Sequence, residues 1–243
     1  MVKERIDVVL TNQGLAPSRE RAKILIMAGE IYIGSERVIK PDMKVPHDVA
    51  IEIRKNPIHY VGYGGVKLEK AIKAFGISIK NKKVVDIGSS TGGFVDYLLK
   101  SGAFRVYAID AGTHQLHESL RNDGRVIVKE NFNARYLTLD DIGEKVDIVT
   151  IDVSFISLKK ILPVVKPLLN PGGHVVSLVK PQFEVGRFEV GKGGIVKDEK
   201  KIERVIEDMK TFGHTLGLKF VDIVEAPRGK ERKNREYFML WVQ

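Results

Sequence analysis

The feature that most constrains the fold of this sequence is a series of short apolar runs, rich in valine and isoleucine, that begins after residue 83. Amphipathic stretches over 94–100, 158–169 and 199–215 separate some of these runs. Apolar runs of this length are typical of strands buried on both faces, and their alternation with helices predicts a mostly parallel sheet covered on both sides. We therefore expect a doubly wound, Rossmann-like α/β domain with strands at 84–87, 106–109, 126–128, 146–151, 175–179 and 220–224, and an edge strand at 237–242.

The first sixty residues follow a different pattern. Apolar residues recur at helical spacing before Gly14, Ser18 can cap a second helix over 19–28, and short β-like runs follow at 31–33, 37–39 and 49–53. The stretch KNPIHYVGYGG then combines Pro57 with three glycines, a composition that helix and strand interiors both reject. The pattern predicts a small α+β domain over 1–55, a linker over 56–66 and the α/β domain over 67–243.

The amino-acid composition excludes some kinds of site and indicates a kind of partner. The 243 residues include no cysteine, which excludes a disulfide scaffold, a cysteine nucleophile and a zinc site that needs thiolates. Forty basic residues against thirty-one acidic ones give a net charge of +9, which favours a polyanionic partner. Most of this excess lies after residue 60.

The N-terminus, MVKERIDVVL, carries charges where a signal peptide needs an apolar stretch, and no apolar run is long enough to span a bilayer. These features predict a soluble, cytoplasmic protein. Of the six histidines, only His114 and His117 are spaced like a pair of metal ligands, and we expect this pair to face solvent and no metal to be bound.

A glycine-rich turn follows the first strand of the α/β domain, in VVDIGSSTGGFVDYLL. The alternative interpretation is a tight turn that merely needs glycine. Its spacing differs from that of dinucleotide-binding and nucleoside-triphosphate-binding loops, and Asp110 ends the next strand, where a carboxylate can accept two ribose hydroxyls. An acidic residue there, preceded by D-x-G-x-x-x-G, predicts an S-adenosylmethionine site that includes Asp86, Gly88, Ser89, Ser90, Thr91, Gly92, Gly93, Phe94, Asp110 and Asp152.

After the third strand, the stretch KENFNARYL contains two asparagines able to read an adenine edge. We favour Asn133 over Asn131 for that role. The alternative is an asparagine that only makes the turn after the strand.

Two charged residues follow the fourth and fifth strands. Asp152 follows the run 148–151, and Lys180 occupies the matching position one strand along. A lysine after an apolar run is costly unless it is paired, although lysines at strand ends also extend to solvent. Because neighbouring parallel strands end at one edge, we expect Asp152 and Lys180 to lie over one cleft.

With these motifs the sequence resembles the TlyA family of hemolysin A-like proteins, in which a small RNA-binding domain is joined to an FtsJ-like ribose 2′-O-methyltransferase. RIDVVL, GLAPSRERA and AGEIYIG resemble the RNA-binding domain of ribosomal protein S-four and pseudouridine synthases. The methyltransferase part of the family has sequence blocks that four further stretches of this chain resemble, namely GGVKLEKA, VDIGSSTGGFVDYLLKSGA, IDVSFISL and LVKPQFEVG. The resemblance covers essentially the whole chain.

The resemblance implies a catalytic set of Lys67, Asp152, Lys180 and Glu236. In this interpretation Lys180 removes the proton of a ribose 2′-hydroxyl, Asp152 and Glu236 orient it, and Lys67 positions the hydroxyl. The implied cofactor is S-adenosylmethionine, and the implied substrate is ribosomal RNA, free or in ribosomal subunits, with cytidine as the target.

The resemblance also implies RNA contacts in SRERA and nearby, through Arg5, Arg19, Arg21 and Lys23. A second basic stretch beside Glu236 contains Arg228, Lys230, Arg232 and Lys233, with Arg235 adjoining it. The alternative for both stretches is a solvated charged surface.

Two other functions remain open from the sequence. One is an RNA-binding ribosome-assembly factor without catalysis, which the intact catalytic set disfavours. The other is a hemolysin-like, membrane-active protein, which the absence of a predicted membrane segment disfavours.

Overall fold

The computed structural model describes residues 3–27, 29–38, 40–53, 60–186, 188–227 and 234–243. The chain divides into two compact units, Met1–Tyr63 and Gly64–Gln243. The predicted linker, 56–66, contains this division, and its residues 56–59 lie outside the described part. Its last residues are helical, because the first helix of the larger unit is Tyr63–Phe75. Gly64 and Gly65 serve close packing there, since a Cβ at Gly64 would lie 3.2 Å from the ring of Phe94.

The described part of the smaller unit contains two helices, α1 at Ile6–Asn12 and α2 at Arg19–Met27. Strand β1 (Lys3–Arg5) pairs antiparallel with β4 (Lys44–Pro46), and β2 (Ile31–Ile33) lies between β3 (Glu36–Arg37) and β5 (Glu52–Ile53). The apolar residues that predicted the first helix form a buried core with residues of α2 and β2. This core includes Ile6, Val9, Leu10, Ala22, Ile26 and Ile31.

The strands of this unit differ from the predicted ones. Strands β1 and β4 have no signal in the sequence, because three-residue strands that contain charged side chains show no alternating pattern. Of the predicted strand 49–53, only the last two residues form a strand, β5. The predicted strand 37–39 corresponds to β3, which is Glu36–Arg37, and residue 39 lies outside the described part.

The larger unit is built on a sheet that has seven strands within the described residues, in the order β11-β12-β10-β9-β6-β7-β8. Parallel pairing joins β8, β7, β6, β9 and β10, whereas β12 pairs antiparallel with β10 and with β11. The strands are β6 Lys83–Ile87, β7 Arg105–Ile109, β8 Val126–Lys129, β9 Val146–Ile151, β10 Leu169–Val179, β11 Lys219–Glu225 and β12 Tyr237–Val242.

This sheet confirms the predicted doubly wound α/β domain. The prediction of an edge strand at 237–242 is wrong, because β12 lies inside the sheet between β10 and β11. Its residues are almost all buried, and Trp241 donates from Nε1 to Ser177 Oγ at 3.0 Å. An internal position explains the continuous apolar sequence YFMLWV.

The helices of the larger unit are α3 Tyr63–Phe75, α4 Gly93–Lys100, α5 Glu118–Arg121, α6 Leu139–Ile142, α7 Leu162–Val165, α8 Pro181–Glu184 and α9 Glu199–Thr215. The predicted helix over 158–169 is divided into a 3-10 turn, α7 and a second 3-10 turn. Pro163 and Pro167 account for this division, because proline lacks the amide hydrogen that a continuous helix needs. No helix in the described ranges is long and apolar enough to cross a membrane.

Candidate active site

The carboxyl ends of the parallel strands bring the predicted site residues to one edge of the sheet. Asp86 lies at the end of β6, Asp110 follows β7, Asp152 follows β9 and Lys180 follows β10. Because Val179 pairs with Tyr237 and β12 runs antiparallel, Glu236 lies beside this same edge. The pairing of these five strands, β6, β7, β9, β10 and β12, therefore assembles side chains up to 150 positions apart in the sequence.

The loop after β6 approaches the loop after β9 closely. Gly88 has a φ of +87°, and a Cβ there would lie 2.4 Å from the carbonyl oxygen of Asp152. The amide of Asp152 in turn donates to the carbonyl of Ile87 at 2.9 Å. Only glycine meets both requirements at position 88, so the two loops meet over the end of the central strands.

Asp86 is a fully buried carboxyl group with one free oxygen. Thr150 Oγ1 donates to Asp86 Oδ1 at 2.6 Å, whereas Asp86 Oδ2 and the buried Ser89 Oγ have no hydrogen-bond partner among the described residues. Burial, with smaller contributions from Asp152 and Asp110, raises the pKa of Asp86 to about 7. Buried polar atoms without partners mark a place where a polar ligand group can bind.

This carboxyl group gives the stability of the protein a defined pH dependence. The pKa of Asp86 is higher in the folded chain than in the unfolded one, so its contribution is favourable below about pH 4 and is lost as the pH rises to about 7. Asp86→Asn should therefore raise the melting temperature, measured without ligand, more at pH 8 than at pH 5. Asp208→Asn, at an exposed position on α9, is the control. An equal gain at both pH values would contradict this assignment.

Asp110 joins two loops of the site. Its Oδ2 accepts the amide of Ser90 and its Oδ1 accepts the amide of Gly112, each at 2.7 Å. Each carboxylate oxygen keeps a second lone pair for a ligand hydroxyl.

A cavity of about 370 Å³ opens beside these residues, within the range of roughly 300–1,000 Å³ for small-molecule sites. Of the predicted cofactor residues, it is lined by Gly88, Ser90, Asp110, Asn133 and Asp152. Asn133 Oδ1 also accepts the backbone amide and the Nε of Arg135, so the side chain caps the turn at 134–136 as well as facing the cavity.

The other predicted cofactor residues shape the loop rather than line the cavity. The carbonyl of Thr91 accepts the amide of His117, and Gly92 has a left-handed φ of +96° beneath Leu116. A Cβ at Gly93 would lie 3.0–3.2 Å from the backbone of Gly64 and Gly65, and Phe94 packs against Phe238.

Lys180 is nearly buried and is held by two groups. Its Nζ lies 2.6 Å from Asp152 Oδ1 and donates to Ser154 Oγ at 2.8 Å, and the residue is 8% exposed. The predicted proximity of Lys180 and Asp152 is thus present in the structure. Sequence reasoning missed Ser154, although it lies two positions after Asp152 in IDVSF.

Lys67 and Glu236 form a second pair across 169 positions of sequence. Lys67 Nζ donates to Glu236 Oε2 at 2.5 Å, and both side chains are about one-fifth exposed. Asn234 supports this region by accepting the amide of Val196 and donating to the carbonyl of Gly194. The four proposed catalytic residues therefore form two lysine–carboxylate pairs.

Phe155 is a further residue that sequence reasoning missed. It is 92% exposed, has a φ of +63°, lines the cavity and contacts Phe183 with ring centroids 5.2 Å apart. An exposed aromatic ring in a strained backbone conformation beside charged residues is a functional signal that appears only in the folded structure.

The predicted RNA-contacting residues differ in their surroundings. Arg5 and Arg19 both pair with the buried Asp7, at 3.0 and 3.2 Å, whereas Arg21 is exposed. Arg235 pairs with Glu199 and Glu225, so it stabilises the strand ends rather than extending a free basic surface. Arg228, Lys230, Arg232 and Lys233 lie outside the described residues; the partly buried Lys23 belongs to α2.

Two protein-family models match the two units of the chain. The FtsJ-like methyltransferase model matches residues 60–242, which contain the cavity and both lysine–carboxylate pairs. The chain belongs to the FtsJ-like methyltransferase family. The S4 domain model matches residues 4–51 in the smaller unit. The resemblance inferred from the sequence, a methyltransferase domain joined to an S4 domain, is confirmed.

Relatives of this methyltransferase match nearly its whole length. The 16S/23S rRNA (cytidine-2′-O)-methyltransferase TlyA of Mycobacterium tuberculosis is 40% identical over 99% of this chain and 90% of its own. Hemolysin A of Brachyspira hyodysenteriae is 40% identical over 98% and 99%. A solved structure named as a hemolysin, from Streptococcus thermophilus, is 41% identical with a TM-score of 0.78 and covers 100% of this chain and 89% of its own.

Proposed function

We propose that this methyltransferase transfers the methyl group of S-adenosylmethionine to the 2′-hydroxyl of a cytidine ribose in ribosomal RNA. The observation that carries the proposal is the pairing of Lys180 with Asp152 and of Lys67 with Glu236 at the sheet edge that also holds the cavity. The activity named for the Mycobacterium tuberculosis relative supports the substrate.

The residues around the cavity fit S-adenosylmethionine. The free oxygen of Asp86 and the hydroxyl of Ser89 suit the amino-acid end, and Asp110 suits the ribose. Asn133 faces the cavity where the adenine edge would lie. When bound, the cofactor supplies a methyl group on a sulfonium, which is already activated for transfer.

The remaining chemistry falls to the chain's own residues. A ribose hydroxyl is a poor nucleophile, so its proton must be removed as the oxygen attacks. Lys180, as the neutral amine, accepts this proton on Nζ, and Asp152 and Ser154 fix the direction of Nζ. Lys67, held by Glu236, positions the hydroxyl and stabilises the charge that develops on its oxygen. Much of the rate enhancement then comes from alignment of the reacting atoms.

The alternative function is an RNA-binding assembly factor without catalysis. Such a protein does not need a buried lysine at this position. A lysine that is 8% exposed and held by a carboxylate and a hydroxyl is costly to bury. That cost favours a group with a chemical role.

The test of the proposal is transfer of labelled methyl from S-adenosylmethionine to four substrates, namely the small subunit, the large subunit and naked 16S and 23S rRNA. The substrates must come from cells that lack this enzyme. We expect labelled rRNA from at least one of them. Binding of RNA with no transfer to any of the four would favour the assembly factor instead.

Phe155 gives a prediction for RNA binding. Phe155→Ala should weaken binding of the RNA substrate by about fivefold to a hundredfold, since stacking of a base on an aromatic ring contributes about 1–3 kcal/mol. Phe104→Ala, which removes an exposed ring at the start of β7, should bind as the wild type does. The two dissociation constants are measured by filter binding with one rRNA fragment. Equal affinities of the two variants would contradict an RNA contact at Phe155.

A further inference from the structure

One segment of the cavity wall is held by a carboxylate that sequence analysis did not select. The segment follows Asp110 and runs through residues 111–117. Glu130, directly after β8, accepts the backbone amides of His114, Gln115 and Leu116 at 2.8, 3.0 and 3.2 Å. Arg121 pairs with the same carboxylate at 2.7 Å, and the Glu130 side chain is 9% exposed.

These contacts fix the segment between its two ends. At one end the amide of Gly112 donates to Asp110, and at the other the amide of His117 donates to the carbonyl of Thr91 at 3.1 Å. The pKa of Glu130 is lowered to about 2, first by Arg121 and then by the backbone amides, so its charge is present at neutral pH. The carboxylate thus sets the backbone of the middle of the segment.

The side chain that this arrangement presents to the cavity is Gln115. It crosses over Gly112, where a Cβ would lie 2.0 Å from Gln115 Nε2 and 3.1 Å from Asp110 Oδ1. The amide of Gln115 is therefore beside the carboxylate of Asp110, and only glycine at position 112 leaves room for it.

The two side chains complement each other chemically. A carboxylate only accepts hydrogen bonds, and each oxygen of Asp110 already accepts one backbone amide. A primary amide both donates and accepts, as a pair of ribose hydroxyls requires. Glu130 supplies no such contact itself, because its oxygens are occupied by the segment and by Arg121.

We propose that Gln115 binds the ribose hydroxyls of the methyl donor together with Asp110, and that Glu130 is a positioning residue that holds Gln115 in place. The inference rests on the proposed function, because it assigns residues to the same donor site. It goes beyond it by naming the group that discriminates the sugar of the donor.

The test is binding of S-adenosylhomocysteine and of its 2′,3′-dideoxy analogue, measured by calorimetry without RNA. For Gln115→Ala we expect the affinity for S-adenosylhomocysteine to fall about fivefold to tenfold, the effect of one hydrogen bond. Gln115→Ala and the wild type should bind the dideoxy analogue with equal affinity. Thr113→Ala, at an exposed position of the same segment, is the matched control.

The role of Glu130 is separated from a general effect on folding by a double-mutant cycle. Glu130→Gln should lower donor affinity, raise the KM for S-adenosylmethionine and change kcat far less. If Glu130 acts through Gln115, the double variant should lose little more affinity than the single variant that loses the most. Additive losses, or a kcat defect larger than the KM defect, would overturn the positioning role.

The outcomes also separate this inference from the proposed function. If the wild type binds S-adenosylhomocysteine and Gln115→Ala binds it as tightly as Thr113→Ala does, the role of Gln115 is overturned and the function stands. If the wild type does not bind S-adenosylhomocysteine, both are overturned.

Discussion

Replacing Lys180 by alanine should severely lower the rate of methyl transfer while leaving donor binding intact. Lys180 lies between Asp152 and Ser154 at the end of β10, and the cavity lining does not include it. Loss of a general base typically lowers the rate by about 10²–10⁴-fold. The measurement is single-turnover transfer to rRNA, with S-adenosylhomocysteine affinity measured in parallel. Lys219→Ala, on the exposed face of β11, is the control.

Two further variants identify what Lys180 does. Lys180→Arg carries a permanent positive charge and cannot accept a proton near neutral pH, so it should be nearly as inactive as the alanine variant. Ser154→Ala keeps the lysine and loosens its direction, so it should retain intermediate activity. Wild-type transfer by Lys180→Ala would contradict the catalytic assignment, and wild-type transfer by Lys180→Arg would reduce Lys180 to an electrostatic role.

The second large effect is expected in the S4 domain. Arg21 is exposed on α2 and Lys23 follows two positions later, while Arg5 and Arg19 are engaged by Asp7. The double variant Arg21→Glu, Lys23→Glu should bind rRNA much more weakly. A plot of the logarithm of affinity against the logarithm of salt concentration has a negative slope. For this variant the slope should be less steep by about two, one for each lost phosphate contact.

The matched control for this variant carries the same change in net charge elsewhere. Lys200→Glu, Lys219→Glu alters two exposed lysines of the methyltransferase domain. Its affinity and salt slope should stay close to those of the wild type. Equal salt slopes in the two double variants would contradict RNA binding through α2, and donor affinity should be the same in both.

The sequence was sufficient for the features that depend on local pattern. Apolar runs predicted the strands, and the charged residues that end them predicted which side chains meet at the edge of the sheet. This works because parallel strands share a direction, so the residue after each buried run has a known place. Asp152 and Lys180 meet for this reason.

Contacts between distant segments had no such signal. The pairing of Lys67 with Glu236 and of Thr150 with Asp86 depends on strand order, which local pattern does not fix. The internal position of β12 escaped prediction for the same reason. Arg5 and Arg19 look like free cations in the sequence, and only the fold brings both of them to Asp7.

The most direct test of methylation at a ribose hydroxyl is the identity of the methylated nucleoside. rRNA labelled by the wild-type enzyme is digested to nucleosides and separated by liquid chromatography with mass spectrometry. We expect 2′-O-methylcytidine, with the modified linkage resistant to alkaline hydrolysis. A methyl group found on the base, with the linkage cleaved by alkali, would contradict methylation of the ribose.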